Sequence, residues 1–339
     1  MALRQGKTII LESKPHIIGN AAVVGKKEGE GPLGKEFDEI CQDTTMGEDS
    51  WEKAESLYLK TAVAKAIEKA AVSAREVDAI ASGDLLNQCI GSTFGLKDFN
   101  IPFCGVYGAC STMALSLCVS SLMIESSAMN CCIAATSSHF CSAEKQFRKP
   151  LEYGGQRPPT AQWTVTGSGA AVLKRTSSDI SPYIDKIHLG TIQDFGIIDS
   201  NNMGAAMAPA ARKTIADFLS DTFTKPSDYD LILTGDLGSV GSELLYELLL
   251  RENGIDISKV HKDCGLMIFD RETQDVHAGG SGCGCGGSVL CSHIINSMRK
   301  GIYSNILFIA TGALMSPVSS LQGQTIPGIA HLVNIKKGV

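Results

Sequence analysis

The sequence has no basic run. Lysine and arginine number 30 against 36 aspartates and glutamates in 339 residues, a net charge of −6, and the cations gather no further than pairs such as Lys336-Lys337. A phosphate backbone is held by clustered cations, so nucleic acid is not an expected partner. No apolar run reaches the roughly 20 residues that a membrane-spanning helix needs. The opening MALRQGKTII also lacks the apolar segment of a secretion signal. A soluble, intracellular protein is expected. Zinc-like spacing is missing as well: Cys131 and Cys132 are adjacent and would face opposite sides of a strand, and Cys283-Gly-Cys285 has no second pair. The twelve cysteines therefore read as reduced thiols, with no metal site.

What is present is core-forming. At 44% hydrophobic and this length, the chain fits two domains or one duplicated unit. The most informative stretch runs from Gly105 to Phe140 (GVYGACSTMALSLCVSSLMIESSAMNCCIAATSSHF). It reads as turn, helix, strand and loop. Met113, Ala114, Leu117, Cys118, Ser121 and Leu122 make the helix small or apolar on nearly every side, which predicts enclosure on all faces. Cys110 precedes it, where unpaired N–H groups and the helix dipole favour a thiolate or a bound anion. The alternative is that Cys110 is one more small buried residue.

Strands are expected at Thr8–Leu11, in IIGNAAVVG, at Val77–Ala81, at Pro102–Tyr107 and over Trp163–Leu173, with a helix capped by Asp49 or Ser50 and a short helix over Asn87–Gly95. Ser142–Thr160 reads as a surface excursion. Ser82-Gly83-Asp84 follows a buried strand, where open α/β sheets place ligands. The second half repeats the first: Asp78-Ala-Ile-Ala-Ser-Gly-Asp84 matches Asp230-Leu-Ile-Leu-Thr-Gly-Asp236, and Cys132-Ile-Ala-Ala-Thr136 matches Leu307-Phe-Ile-Ala-Thr311. By the same offset Cys285 would correspond to Cys110, with a helix over Ser288–Lys300. A duplicated α/β unit with halves 1–175 and 176–339 follows. Gly282, Gly284 and Gly287 fit a GxGxxG spacing, yet the next strand ends in Ile309-Ala310-Thr311-Gly312 without the acidic residue a ribose requires, so no dinucleotide or other cofactor is expected.

YGACSTMAL, TVTGSGAAVL and HAGGSGCGCGGSVL, set in two βαβαβ halves, resemble the thiolase-fold condensing enzymes over nearly the whole chain. The resemblance implies an α/β, five-layered αβαβα fold. More closely, KTIILESKPHIIGNAAVVGKKEGEGPLGKEFD and VYGACSTMALSL resemble the stage V sporulation protein AD family of spore-forming bacteria, thiolase-like proteins implicated in the uptake of dipicolinic acid into the developing spore. Condensing enzymes place their nucleophile at the position of Cys110 and take a His and a second His or Asn from the second half. The matching positions here hold Gly235-Asp236 and the turn Gly279–Gly284. Without oxyanion donors, about 3 kcal/mol or more of transition-state stabilisation is lost, and without a base so is proton transfer. The expectation is a vestigial nucleophile and no catalysis.

The resemblance implies dipicolinic acid, with or without calcium, as ligand. A flat dianion needs N–H donors, cations and a surface for its ring. Cys110, His139, Asp84, Arg148, Asn201 and Asn202 are the candidate ligand-binding residues; His277 is either near the site or simply solvated. The rivals are a Cys110-dependent acyltransferase and a purely structural partner of membrane components. The resemblance also implies a homodimer through the edge strand Phe103–Tyr107, whose open side would otherwise be exposed. It implies, too, a cytoplasmic place in the forespore, peripheral at the spore inner membrane through other proteins of the same uptake system.

Overall fold

A computed structural model of the chain describes residues 2–147, 157–176 and 181–338. Two runs of strands share one topology. The first comprises β1 (His16–Gly25), β2 (Ala79–Gly83), β3 (Phe103–Gly105), β4 (Cys131–Ser138) and β5 (Gly167–Lys174). Its spatial order is β3-β2-β4-β5-β1, with β2 parallel to β3 and β4 and with β5 antiparallel to both of its neighbours. The second comprises β6 (Tyr183–His188), β7 (Leu231–Thr234), β8 (His261–Asp263), β9 (Asn305–Ala313) and β10 (Gly328–Lys336). It lies in the equivalent order, β8-β7-β9-β10-β6, with the equivalent directions. The runs meet where Tyr183 pairs with His16.

The helix expected to be enclosed on all faces is enclosed on most of them. α3 (Thr112–Glu125) packs on β4 and β2 of the first run and on β10 and β9 of the second. Sheets cover two sides, and Met113, Ala114, Leu117 and Cys118 are fully buried in the central core, but Leu115, Val119, Leu122 and Met123 form one half-buried stripe along the helix. Beside it lies α7 (Cys283–Val289), prolonged by a π-helical stretch (Leu290–Ile294) and by Ile295–Arg299. Outside the first sheet lie α1 (Trp51–Lys69), N-capped by Ser50, whose Oγ accepts the Lys53 N–H at 3.3 Å, and the short α2 (Ile90–Leu96) packed against it. Outside the second lie α5 (Met203–Thr222) and α6 (Gly238–Asn253). Cys131 and Cys132 do face opposite sides of β4, one toward α1 and the other into the central core.

Three expectations need correction. The second central helix starts at Cys283, inside the glycine-rich turn, and not at Ser288. The reason is close packing: a β-carbon at Gly169 on β5 would collide with the Gly287 carbonyl, and one at Gly284 with the Gly167 carbonyl. These glycines let helix backbone lie against strand backbone. Cys285 is consequently a residue inside a helix, its thiol 3.5 Å from the Gly235 carbonyl, and is not the counterpart of Cys110, which precedes its helix. The strand over Trp163–Leu173 is broken: Trp163–Thr164 pairs with Gly280–Ser281, and β5 begins only at Gly167. Finally, the chain beyond His139 does not leave at once for the surface. It forms α4 (Phe140–Phe147), which buries Ser142, Ala143 and Glu144.

Candidate functional site

The site forms where the N-terminal ends of the two central helices converge. Before α3 the chain makes a tight turn: the Ser111 hydroxyl donates to the Gly108 carbonyl at 2.5 Å, and the Thr112 hydroxyl to the Ala109 carbonyl at 2.6 Å. Ala109 takes φ +50, a left-handed backbone that costs a non-glycine residue energy and is held here by the surrounding structure. Gly312, near the end of β9, presses so closely on this turn that a β-carbon there would collide with the Gly108 carbonyl. The turn thus presents Cys110, only 6% exposed, to a small chamber also lined by Tyr107, Glu144, Phe147, Met203 and Met315.

The decisive neighbour of Cys110 is Asp236, at the end of β7. Its carboxylate is fully buried and accepts the Thr311 hydroxyl at 2.8 Å, the Gly282 N–H at 2.9 Å and the Ser281 hydroxyl at 3.3 Å. The Cys110 thiol lies close enough to interact with it electrostatically. An internal anion therefore sits at the head of α7, where the helix dipole would otherwise attract a bound one. Burial pushes the Asp236 carboxyl up to about 6, against the pull of these donors. Burial also pushes the Cys110 thiol well above the ordinary range, and the Asp236 charge and the Cys283 thiol push it further. The helix-end argument for a thiolate is overridden, and Cys110 is a neutral thiol.

Cys283, the first residue of α7, packs in one cluster with Cys110, Leu85 and Ala143 and donates to the Ser137 carbonyl at 2.9 Å. Neither Asp236 nor Cys283 was singled out as a site residue from sequence. The available signal for Asp236 was a carboxylate directly after the buried strand Leu231–Thr234, with no cation beside it in sequence.

Other candidates lie further off. His139 is 1% exposed, but its Nε2 faces the Thr44 carbonyl at 3.0 Å and its Nδ1 accepts the Cys141 N–H at 3.1 Å. Burial lowers its pKa. It is a neutral core histidine with both nitrogens occupied, and it does not line the chamber. Asp84 is fully buried, accepting the Leu86 N–H at 2.9 Å and both the N–H and hydroxyl of Ser92 at 2.7 Å. It braces the turn that brings Leu85 to the chamber, beside a second buried carboxyl, Glu55, held by Ser142 at 2.5 Å and Ser137 at 3.3 Å. Asn202 caps α5 through the Ala205 N–H at 3.3 Å, while Asn201 precedes it in a turn on Asp199. Only the next residue, Met203, reaches the chamber. His277 lies 3.4 Å from Asp275, away from the chamber. Arg148 lies outside the described residues.

The chamber is about 30 Å³, room for one or two waters. An open groove of about 310 Å³, lined by Leu86, Gln88, Leu314 and Pro317 among others, adjoins it. Tyr107, Phe147 and Met315 border both spaces. Among the described residues no lysine or arginine lines either; Arg157 reaches the chamber only through its 2.7 Å ion pair with Glu144. If these side chains control entry, Phe147→Ala should speed alkylation of Cys110 by iodoacetamide several-fold at unchanged pH. An unchanged rate would place the barrier elsewhere.

The fold is that of the thiolase-fold condensing enzymes. 3-Oxoacyl-[acyl-carrier-protein] synthase III from Aquifex aeolicus VF5 aligns over 94% of this chain and 99% of its own, with TM-score 0.56 and 14% identity. Cerulenin-bound OleA from Xanthomonas campestris aligns over 98% and 99%, with TM-score 0.63 and 12% identity. Within that fold the sequence is more specific. The family model for Stage V sporulation protein AD (SpoVAD) matches residues 5–336. The Stage V sporulation protein AD of Bacillus subtilis (strain 168) is 42% identical over 331 residues, 98% of this chain and 97% of that protein. The chain belongs to the stage V sporulation protein AD family. Among the described residues no helix is long and apolar enough to cross a membrane.

Proposed function

We propose that this sporulation protein is a non-catalytic descendant of the condensing enzymes whose Cys110 chamber binds dipicolinic acid (pyridine-2,6-dicarboxylate), free or as its calcium chelate, for uptake into the developing spore. The observation that carries the non-catalytic half of the reading is Asp236. Where a condensing enzyme needs a histidine to polarise a thioester carbonyl, this chain puts a carboxylate that adds to burial in keeping the nucleophile protonated. A developing oxyanion there would meet a negative charge instead of a donor. The ligand itself comes from the family resemblance. A chamber of 30 Å³ is far below the few hundred Å³ of ordinary ligand sites. Binding therefore requires Tyr107, Phe147 and Met315 to yield, joining chamber and groove. The ring would then lie against Cys110 and Met203, with the carboxylates toward the Cys110 turn.

The same reading makes the protein a homodimer. β3 is a sheet edge, and Phe103, Tyr107, Ile90 and Phe94 on and beside it are exposed, a face that pairing across a two-fold axis would cover.

Calorimetric titration with dipicolinate, with calcium and with a chelator, tests the ligand. Saturable binding is expected, weakened about fivefold in Cys110→Ala, as the loss of a contact worth about 1 kcal/mol would give. Intact-mass detection of acyl transfer from a CoA thioester to Cys110 would instead make the protein an acyltransferase. No heat and no acylation would leave a purely structural partner of the membrane components.

A further inference from the structure

Beside the mouth of the groove lies a second apolar face, built by two segments that are stitched together. Gln193 and Gly328 exchange backbone hydrogen bonds at 2.9 and 2.7 Å, the Ile326 N–H donates to the Ile197 carbonyl at 2.7 Å, and the Thr325 hydroxyl donates to Asp194 at 2.6 Å. From these segments Ile192, Phe195, Ile198, Val318 and Leu321 stand 52–82% exposed. Scattered apolar residues are ordinary on a surface, but five from two adjoining segments mark an interaction site. The hydrogen bonds fix 193–197 against 325–328, and Val318 and Leu321 stand on the short helix Pro317–Leu321 that leads into the second of these segments.

Among the described residues, these two segments carry carboxylates and no lysine or arginine. Asp194 and Asp199 are exposed. No lysine or arginine occurs between His188 and Arg212, nor between Lys300 and Lys336. An anionic lipid surface attracts cations and would be repelled here, so a bilayer is the wrong occupant. Carboxylates among apolar side chains complement a partner of opposite charge, which aids encounter and excludes acidic competitors. We infer that this face docks a segment of another protein that carries apolar side chains together with lysine or arginine, seated at the rim of the Cys110 groove. Leu314, Met315, Ser316 and Pro317 lead from the groove wall directly into the helix Pro317–Leu321 that bears Val318 and Leu321. A partner docked there stands where a ligand would be handed over. The inference deepens the proposed binding function and rests on that reading for the meaning of the groove.

The test is photo-crosslinking of the full-length protein in spore-forming cells, with benzoylphenylalanine replacing Phe195 or Leu321 and, as a control on another surface, Phe223. Cross-linked peptides are sequenced by mass spectrometry. The expected result is a peptide of a different protein, apolar and net positive, captured from positions 195 and 321 and not from 223. Its yield should drop at least several-fold when Asp194→Lys and Asp199→Lys are added. Capture of this chain itself, of an acidic peptide, of lipid alone or of nothing would overturn the docking surface. Dipicolinate titration of the same variants separates the two readings: intact binding without the expected cross-link sinks the docking face alone, and absent binding with that cross-link sinks the ligand alone.

Discussion

Asp236→Asn is expected to make Cys110 react with iodoacetamide about tenfold faster or more at pH 8, the change in thiolate fraction that one pKa unit produces. The thiol lies in the field of the Asp236 carboxylate, so ionising it would set two negative charges near one another in a buried space. Asparagine keeps the shape. Its oxygen accepts the Gly282 N–H and the Ser281 hydroxyl and its amide donates to the Thr311 hydroxyl, so the three bonds that anchor Asp236 survive with one reversed. Only the charge is lost. The pH profile gives an internal control. The native carboxyl titrates at about 6, so it is ionised at pH 8 and largely protonated at pH 5. The ratio of variant to native rate should therefore shrink toward one as pH falls. Peptide mass spectrometry of the Cys110 peptide reads both rates. Equal rates at pH 8 would assign the silence of Cys110 to burial alone and remove the main physical reason for calling the site non-catalytic.

How much of this was legible beforehand depended on whether a feature was local. The largely enclosed α3 helix was readable because small and apolar residues on every face have one meaning in a sequence of this length. The family followed from glycine-rich segments, and those glycines are where helix and strand backbones touch, as at Gly169 and Gly287. The site was harder because its groups come from distant turns. The segment Gly235-Asp236 contains no histidine, but that Asp236 lies against Cys110 depends on how the second half approaches the first. His139 looked free because its partners are backbone groups, the Thr44 carbonyl and the Cys141 N–H, and backbone partners leave no mark in a sequence. Glu144 looked like surface charge, yet it is buried against Arg157. The pairing of a charge can reverse what its type suggests.

Buried carboxyls also predict an unusual pH dependence of stability. Glu28 is 1% exposed, accepts the Thr166 N–H at 2.9 Å, and is pushed by burial up to about 7. Burial pushes Asp263 to about 7 and Asp236 to about 6 in the same way. A carboxyl whose folded pKa exceeds its unfolded value binds its proton more tightly in the folded state, so stability falls as pH rises from the unfolded toward the folded value and is flat above it. For Glu28, between the ordinary 4.5 and about 7, this amounts to about 3 kcal/mol. Exposed or paired carboxyls such as Asp185 and Asp217 are shifted downward and oppose this trend only near and below pH 4. Between pH 5 and 7 Glu28 makes the protein more resistant to urea as pH falls, while buried histidines whose pKa values burial lowers, His261 and His331 to about 4, work the other way, so the expected result is read as the difference between native and variant. Glu28→Gln cannot ionise, so it should remove the Glu28 part of the slope whatever its effect on absolute stability, because the slope counts protons and not contacts. A slope unaltered in the variant would mean that Glu28 is charged in the folded protein and that water or a cation reaches it.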